Sequence, residues 1–201
     1  MPQFAQVARV RKLPTAAGPA MAADYGTLRF CTVYDEPAWA VLDVENPCNV
    51  QVRRMDGRLW FGKTKVMGIT GNWAAWPVGL SVALRMPRSE IWLVEGTGDF
   101  IAAWSCAVEG WGNFVPVAMF GTSNDVHQGA LPLFCGRSVV IVQQHDSSGA
   151  GAAVRWEEQL RAAGATVRVC LVPGENDDLN DWVSAGGGNF VTNNSTHECH
   201  D

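Results

Sequence analysis

A chain of 201 residues, 47% hydrophobic and 17% charged, is long enough to bury a core without disulfide or metal staples and too apolar for wholesale disorder. Its formal charge of −5 excludes a surface coated in basic residues for nucleic acid. The total conceals a split: residues 1–90 carry eleven Lys and Arg against seven Asp and Glu, whereas residues 91–201 carry four against thirteen. Either chance variation or two different tasks, one polyanion-facing and one cation-binding, would produce that asymmetry.

Six cysteines (Cys31, Cys48, Cys106, Cys135, Cys170 and Cys199) are scattered without a Cys-x-x-Cys pair, which argues against a zinc ribbon or a disulfide framework. Cys106, Cys135 and Cys170 lie in or beside apolar runs and are expected as small buried hydrophobes. No run approaches roughly 18 uninterrupted apolar residues, and the N-terminus lacks the apolar core of a signal peptide. The reading is a soluble, reduced, cytoplasmic protein without a membrane segment.

In chain order, residues 1–24, with Pro14, Gly18 and Pro19, predict an arm or a short leading helix. Short apolar runs follow at 28–34, 38–42, 50–54 and 59–61, and Asp56-Gly57 is a tight-hairpin signal between the last two. Gly68, Gly71 and Gly79 punctuate the next stretch, where Pro77 limits any central strand. After Pro87 the rhythm changes. Apolar runs at 91–94, 115–120, 138–142 and 166–172 alternate with helical stretches at about 99–108 and 149–163, the second stopped by Gly164. This pattern predicts an α/β fold with a parallel sheet covered on both faces. The expected organisation is a basic, β-rich (α+β) domain over residues 1–88, an α/β domain over 89–186, and a frayed tail over 187–201.

In open parallel sheets the binding crevice lies at the carboxyl ends of the strands. There the sequence places Glu95, Asp146, and the cluster Asp177, Asp178 and Asp181. An oxygen-rich site of this kind suits Mg²⁺ or Mn²⁺ held beside substrate phosphates. Each acid also has an ordinary reading, Glu95 and Asp146 as helix N-terminal residues and the rest as a solvated turn. Arg53, Arg54, Arg58, Lys63 and Lys65 either grip a nucleic-acid backbone or protect an exposed sheet edge. Trp60, Trp73 and Trp76 either stack bases or belong to the core. His197, Cys199 and His200 form a short metal-capable tract in the tail.

Val94-Glu95-Gly96-x-x-Asp99, Gly121-Thr122, Asp146-x-x-Gly149 and Asp178-Leu179-Asn180-Asp181 resemble, in that order, the Toprim domain of DNA primases, topoisomerases and a group of nucleases. The likeness spans about residues 89–185. The ending Asp178-Leu179-Asn180-Asp181-Trp182 and the preceding Trp156-Glu157-Glu158-Gln159-Leu160 look most like the phage and plasmid primase branch. Gln51-Val52-Arg53-Arg54-Met55-Asp56-Gly57 and Trp76-Pro77-Val78-Gly79-Leu80 are similar to the segment preceding Toprim in those proteins.

The resemblance implies that Glu95 serves as general acid/base or metal ligand, that Asp146 is the second aspartate of the family's Asp-x-Asp metal motif, and that Asp178 and Asp181 support the site. It implies that Asp99 steadies the first helical turn. One position departs: the first aspartate of Asp-x-Asp is Gln144 here, with His145 beside it. An amide carbonyl can coordinate Mg²⁺ but brings no negative charge. By resemblance the chain is a primase module that joins nucleotides on a single-stranded DNA template, in phage, plasmid or mobile-element replication. A metal-dependent nuclease and a catalytically impaired nucleic-acid-binding module are the alternatives. The sequence holds neither a cysteine-based zinc module nor a P-loop, so a replicative helicase would be a separate partner or part of a longer protein.

Overall fold

The computed structural model describes residues 2–43, 45–47, 49–70, 75–174 and 178–191. Two helices, α1 (Pro2–Arg11) and α2 (Ala17–Asp24), lead into β1 (Leu28–Val33), β2 (Glu36–Leu42), β3 (Val50–Arg54) and β4 (Met67–Thr70). These strands form an antiparallel sheet in the order β1-β2-β3-β4. After α3 (Leu80–Arg85), the chain alternates β5 (Glu90–Val94), α4 (Thr97–Val108), β6 (Phe114–Ala118), β7 (Ser138–Gln143), α5 (Ser147–Ala162), β8 (Thr166–Leu171) and α6 (Leu179–Ser184). The second sheet is parallel, in the order β6-β5-β7-β8. The predicted α/β architecture with a small antiparallel sheet before it is therefore the fold.

Topology explains where a site belongs. The chain leaves β5 towards β6 and then returns past β5 to β7, so the strand order reverses between β5 and β7. Right-handed crossovers in opposite directions place α4 and α5 on opposite faces of the sheet. The reversal opens a crevice at the carboxyl ends of β5 and β7. Residues 97–106 of α4 are all buried, because α2 and α6 pack on the helix that already covers the sheet. A helix apolar around its whole circumference suits that place.

In the central strand β2 successive side chains enter cores on opposite faces of the sheet. Leu28, Trp39 and Val41 enter the large core shared with the parallel sheet. Ala38, Ala40 and Val52 face a smaller cluster closed by Trp60. The expected hairpin at Asp56-Gly57 does not form: residues 59–61 are no strand, and β3 pairs instead with β4. Asp56 accepts both nitrogens of the Arg54 fork and the Arg58 amide, which turns the chain away before a ladder can begin. Trp60 folds back, 1% exposed, and donates its indole N–H to Val52 O.

Three further expectations are corrected. Cys135 is exposed at the end of a short 3₁₀ turn, whereas Cys106 and Cys170 are buried as expected; Cys48 and Cys199 lie outside the described residues. The first 24 residues form two helices. Of the supposed tail, Phe190 and Val191 are buried, with Phe190 against the rings of Trp92, Trp111 and Trp182. His197, Cys199 and His200 are outside the described residues. Among the described residues no helix is long and apolar enough to cross a membrane.

The α2–α4 contact is made by Gly18, where a Cβ would stand 2.1 Å from Ser105 Oγ and 2.6 Å from its backbone nitrogen. Backbone cannot retreat as a side-chain tip can. Gly18→Ala is expected to cost about 1–3 kcal/mol, read as a lower urea midpoint at unchanged slope.

Candidate active site

The carboxyl ends of β5, β7 and β8 deliver the acids that the sequence placed there. Glu95 follows β5, with its carbonyl accepting from the Gly121 amide at the exit of β6. Its side chain is half-buried, and Oε2 is sealed from solvent without a hydrogen-bond partner among the described residues. Burial, with smaller contributions from Asp146 and Asp178, pushes the Glu95 carboxyl up to about 7. A carboxylate in that condition is short of a counter-charge.

Asp146 follows β7 and caps α5. Its Oδ1 accepts from the Gly149 amide at 2.6 Å and the Ser148 hydroxyl at 2.9 Å, bonds that hold the carboxyl below its ordinary range. A Cβ on Gly149 would lie 3.0 Å from the Gln144 side chain and 3.1 Å from Asp146 Oδ1, so the close turn wants glycine here. Asp178 follows β8 and caps α6 by accepting from the Asp181 amide. Its charge acts on Glu95 and on Asp99. Asp181 itself is exposed in the first turn of α6. Asp177 lies outside the described residues. Neighbouring His145 is turned aside, its Nε2 meeting Val172 O at 2.5 Å.

Gln144 points its amide nitrogen at Asp99 Oδ2, 3.0 Å away. Asp99 is 5% exposed and its other oxygen accepts from the Asn180 amide. Asn180 in turn accepts from Arg11 Nε. Asp99 thus does more than steady its own turn: it joins the ends of β7, α4 and α6, and through Asn180 the first helix. Burial, then the Asp178 charge, raises its carboxyl. Sequence reasoning missed Arg11 and Asn180, whose roles depend on contacts spanning 169 residues and leave no local pattern.

The basic half meets this acidic cluster at Arg53. Its Nε donates to Thr97 Oγ1 at 2.5 Å. Burial, and then nearby Arg11, lowers the guanidinium to about 10, while Asp99 and Asp178 oppose the shift. A cavity of about 200 Å³ opens beside it, lined by Arg11, Trp39, Arg53, Arg54, Arg58 and Lys65. Of the expected basic residues, Arg54 is committed to Asp56 and Glu36 and lies over the Trp60 ring. Arg58 and Lys65 are exposed at the rim, and Lys63 is exposed nearby. Trp60 is core, Trp76 is half-buried, and Trp73 lies outside the described residues.

The donor chemistry of Glu95, Asp146 and Asp178, carboxylate oxygens with one oxygen left orphaned, fits a hard divalent cation. Among the described residues no three His, Cys, Asp or Glu side chains group closely enough to enclose an ion by themselves.

Residues 92–183 match the family described as Toprim-like. A DNA primase of Halalkalibacterium halodurans is 31% identical over 100 residues, which are 50% of this chain and 16% of the relative. The primase fragment of the bacteriophage T7 primase-helicase is similar in structure, with a TM-score of 0.57 at 15% identity over 83% of this chain and 66% of that one. The Aquifex aeolicus primase fragment superposes at 0.62, with 14% identity over 91% of this chain and 52% of that one. A primase domain from Pseudomonas aeruginosa gives 0.56 at 22% identity, over 84% and 55%. The chain thus spans a sixth of the curated relative and between half and two thirds of the solved fragments. Residues 92–183 are similar to the Toprim-like family, and together with the antiparallel sheet they share the fold of these primase fragments.

Proposed function

We propose that the chain is the catalytic module of a primase-type nucleotidyltransferase. In this reading Glu95, Asp146 and Asp178 hold Mg²⁺ or Mn²⁺, and Arg11, Arg53, Arg58 and Lys65 hold phosphates of a single-stranded DNA template or an incoming nucleotide. The observation that carries it is Glu95 Oε2, buried and without a partner among the described residues where the strand ends converge. A divalent ion bound there would neutralise charge on a phosphoryl group undergoing in-line displacement.

The chain's own residues divide the remaining work. Glu95 is placed either to hold that ion or, free of it, to accept a proton from an attacking hydroxyl. Asp146 stays ionised because Gly149 and Ser148 bond its charged form. Arg53, fixed by Thr97, would draw phosphate towards the carboxylates, and its charge already acts on Asp99 and Asp178. A primase catalytic domain bound to single-stranded DNA is among the structural relatives, at a TM-score of 0.54, which supports a template of that kind. Replication of a phage, plasmid or other mobile element, beside a replicative helicase, is the setting this reading proposes.

Gln144 favours a second reading, a nucleic-acid-binding module with weakened metal affinity, because its amide is turned to Asp99. Calorimetric titration of wild type and Glu95→Gln with Mn²⁺ or Mg²⁺ decides between them. Metal binding that vanishes in the variant, with RNA primers made from ribonucleotides on single-stranded DNA, supports the first reading. Shortened DNA in place of primers identifies a nuclease. Metal binding indifferent to Glu95 leaves only the binding module.

A further inference from the structure

Two aromatic rings stand in water at one end of the antiparallel sheet. Tyr34 and Phe61 are each 67% exposed, and their centroids lie 5.2 Å apart, edge to face. Mutual contact therefore covers only a small part of either ring. Nothing in folding rewards such exposure, since an aromatic gains its stabilisation by leaving water.

Their backbone makes the placement more unusual. Tyr34 and Asp35 connect the paired Val33 and Glu36, with φ of 50° and 60°. Phe61 and Gly62 connect Trp60 to Lys63 and Thr64, with φ of 50° and 69°. Both are tight turns with two successive left-handed residues, positions that favour Asn, Asp and Gly. A bulky residue there carries backbone strain. Twice, in two separate turns, this chain puts an aromatic ring at the first of those positions.

The surroundings are cationic. Arg58, Lys63 and Lys65 are exposed in the segment that carries Phe61, and Arg58 and Lys65 also line the cavity beside Arg53. The acids nearby are Asp35, Glu36 and Asp56; Glu36 and Asp56 pair with Arg54, and Asp56 also lies 3.8 Å from exposed Arg58. Trp60, next to Phe61, packs under the Arg54 guanidinium. Positive charge and an exposed ring thus alternate along residues 58–65.

We propose that Tyr34 and Phe61 form a platform on which unpaired bases of single-stranded DNA stack, while Arg58, Lys63 and Lys65 contact its phosphates. Base–aromatic stacking tolerates any sequence, and alternation of cations with exposed rings is the chemistry that recognises a single strand. The inference rests on the template reading above but invokes no metal and no catalytic step.

The test uses Tyr34→Asn, Phe61→Asn and the double variant. Asparagine accepts left-handed backbone, so these changes keep the turns, and melting temperatures equal to or above wild type are expected. Binding is measured by fluorescence anisotropy to an oligo-dT of about twelve nucleotides and to an abasic strand of the same length. Each single change is expected to weaken oligo-dT binding about tenfold, from the loss of one stacked base. The abasic strand should bind wild type and variants alike, and Tyr34→Trp should retain wild-type affinity for oligo-dT. If the double variant binds oligo-dT as wild type does, or loses both strands equally, the platform is overturned. It is overturned equally if the only change is a smaller oligomer by sedimentation, which would make the pair a protein contact. If wild type binds neither strand, the template reading fails together with the platform.

Discussion

Glu95→Gln is expected to be more stable than wild type above pH 7 and to lose at least about a hundredfold in nucleotidyl transfer, the scale on which one preorganised transition-state group matters. The carboxyl rises from its ordinary 4.5 to about 7 in the fold, chiefly through burial. Between those pH values the folded protein holds a proton that the unfolded chain has released. Stability therefore falls as pH rises through that window, and the whole cost is present above it. Glutamine has nothing to ionise and avoids the cost while keeping the shape. Thermal melts should show the variant gaining at pH 8 and little changed at pH 4, where the wild-type carboxyl is largely neutral in both states. A variant destabilised at pH 8, or one with undiminished activity, would contradict a carboxylate held strained for a cation. The trade-off is the one expected where a site needs an unsatisfied charge.

How much of this was legible depends on the range of the interactions involved. The four strands of the parallel sheet announced themselves because both faces are buried and the runs are continuous. Glu95, Asp146 and Asp178 followed from those strands, since an acid just past a strand end needs only the strand to be located. Asp99 was visible as a helical acid, but its burial was not, because Gln144 and Asn180 close over it from sequence-distant segments. Trp60 invited a stacking role as an aromatic among cations, yet the turn fixed by Asp56 drives it into the small core. Tyr34 and Phe61 escaped notice because a left-handed backbone at an aromatic residue contradicts local preference, and local preference is all that a single sequence offers. Phe190 and Val191 read as tail for a similar reason: a short apolar pair among Gly and Asn lacks periodicity, and the rings of Trp92, Trp111 and Trp182 that Phe190 meets are brought together only by the fold.

Restoring the family's acid with Gln144→Asp is expected to damage the protein. The Gln144 amide nitrogen lies 3.0 Å from Asp99 Oδ2, so the substitution sets a second carboxylate against one that is already buried. It removes a donor and adds a like charge, a loss of about 2–4 kcal/mol at pH 8. Aspartate is one methylene shorter than glutamine, so the two carboxylates would repel without meeting, and the deficit should shrink as pH falls towards 5 and one of them takes a proton. Combining Gln144→Asp with Asp99→Asn exchanges the two groups: an amide at the buried position donates to a carboxylate at the strand end and still accepts from the Asn180 amide. Chemical denaturation at both pH values should find the double variant within about 1 kcal/mol of wild type, a coupling far from additive. It should also bind Mn²⁺ more tightly than wild type, because the strand end then carries the negative charge that Gln144 withholds. Additive losses would mean that Asp99 and Gln144 do not act as a pair. Recovered stability without tighter metal binding would place position 144 outside the ligand set. Both results bear on one physical statement: the amide at the end of β7 holds the buried Asp99 carboxylate in place.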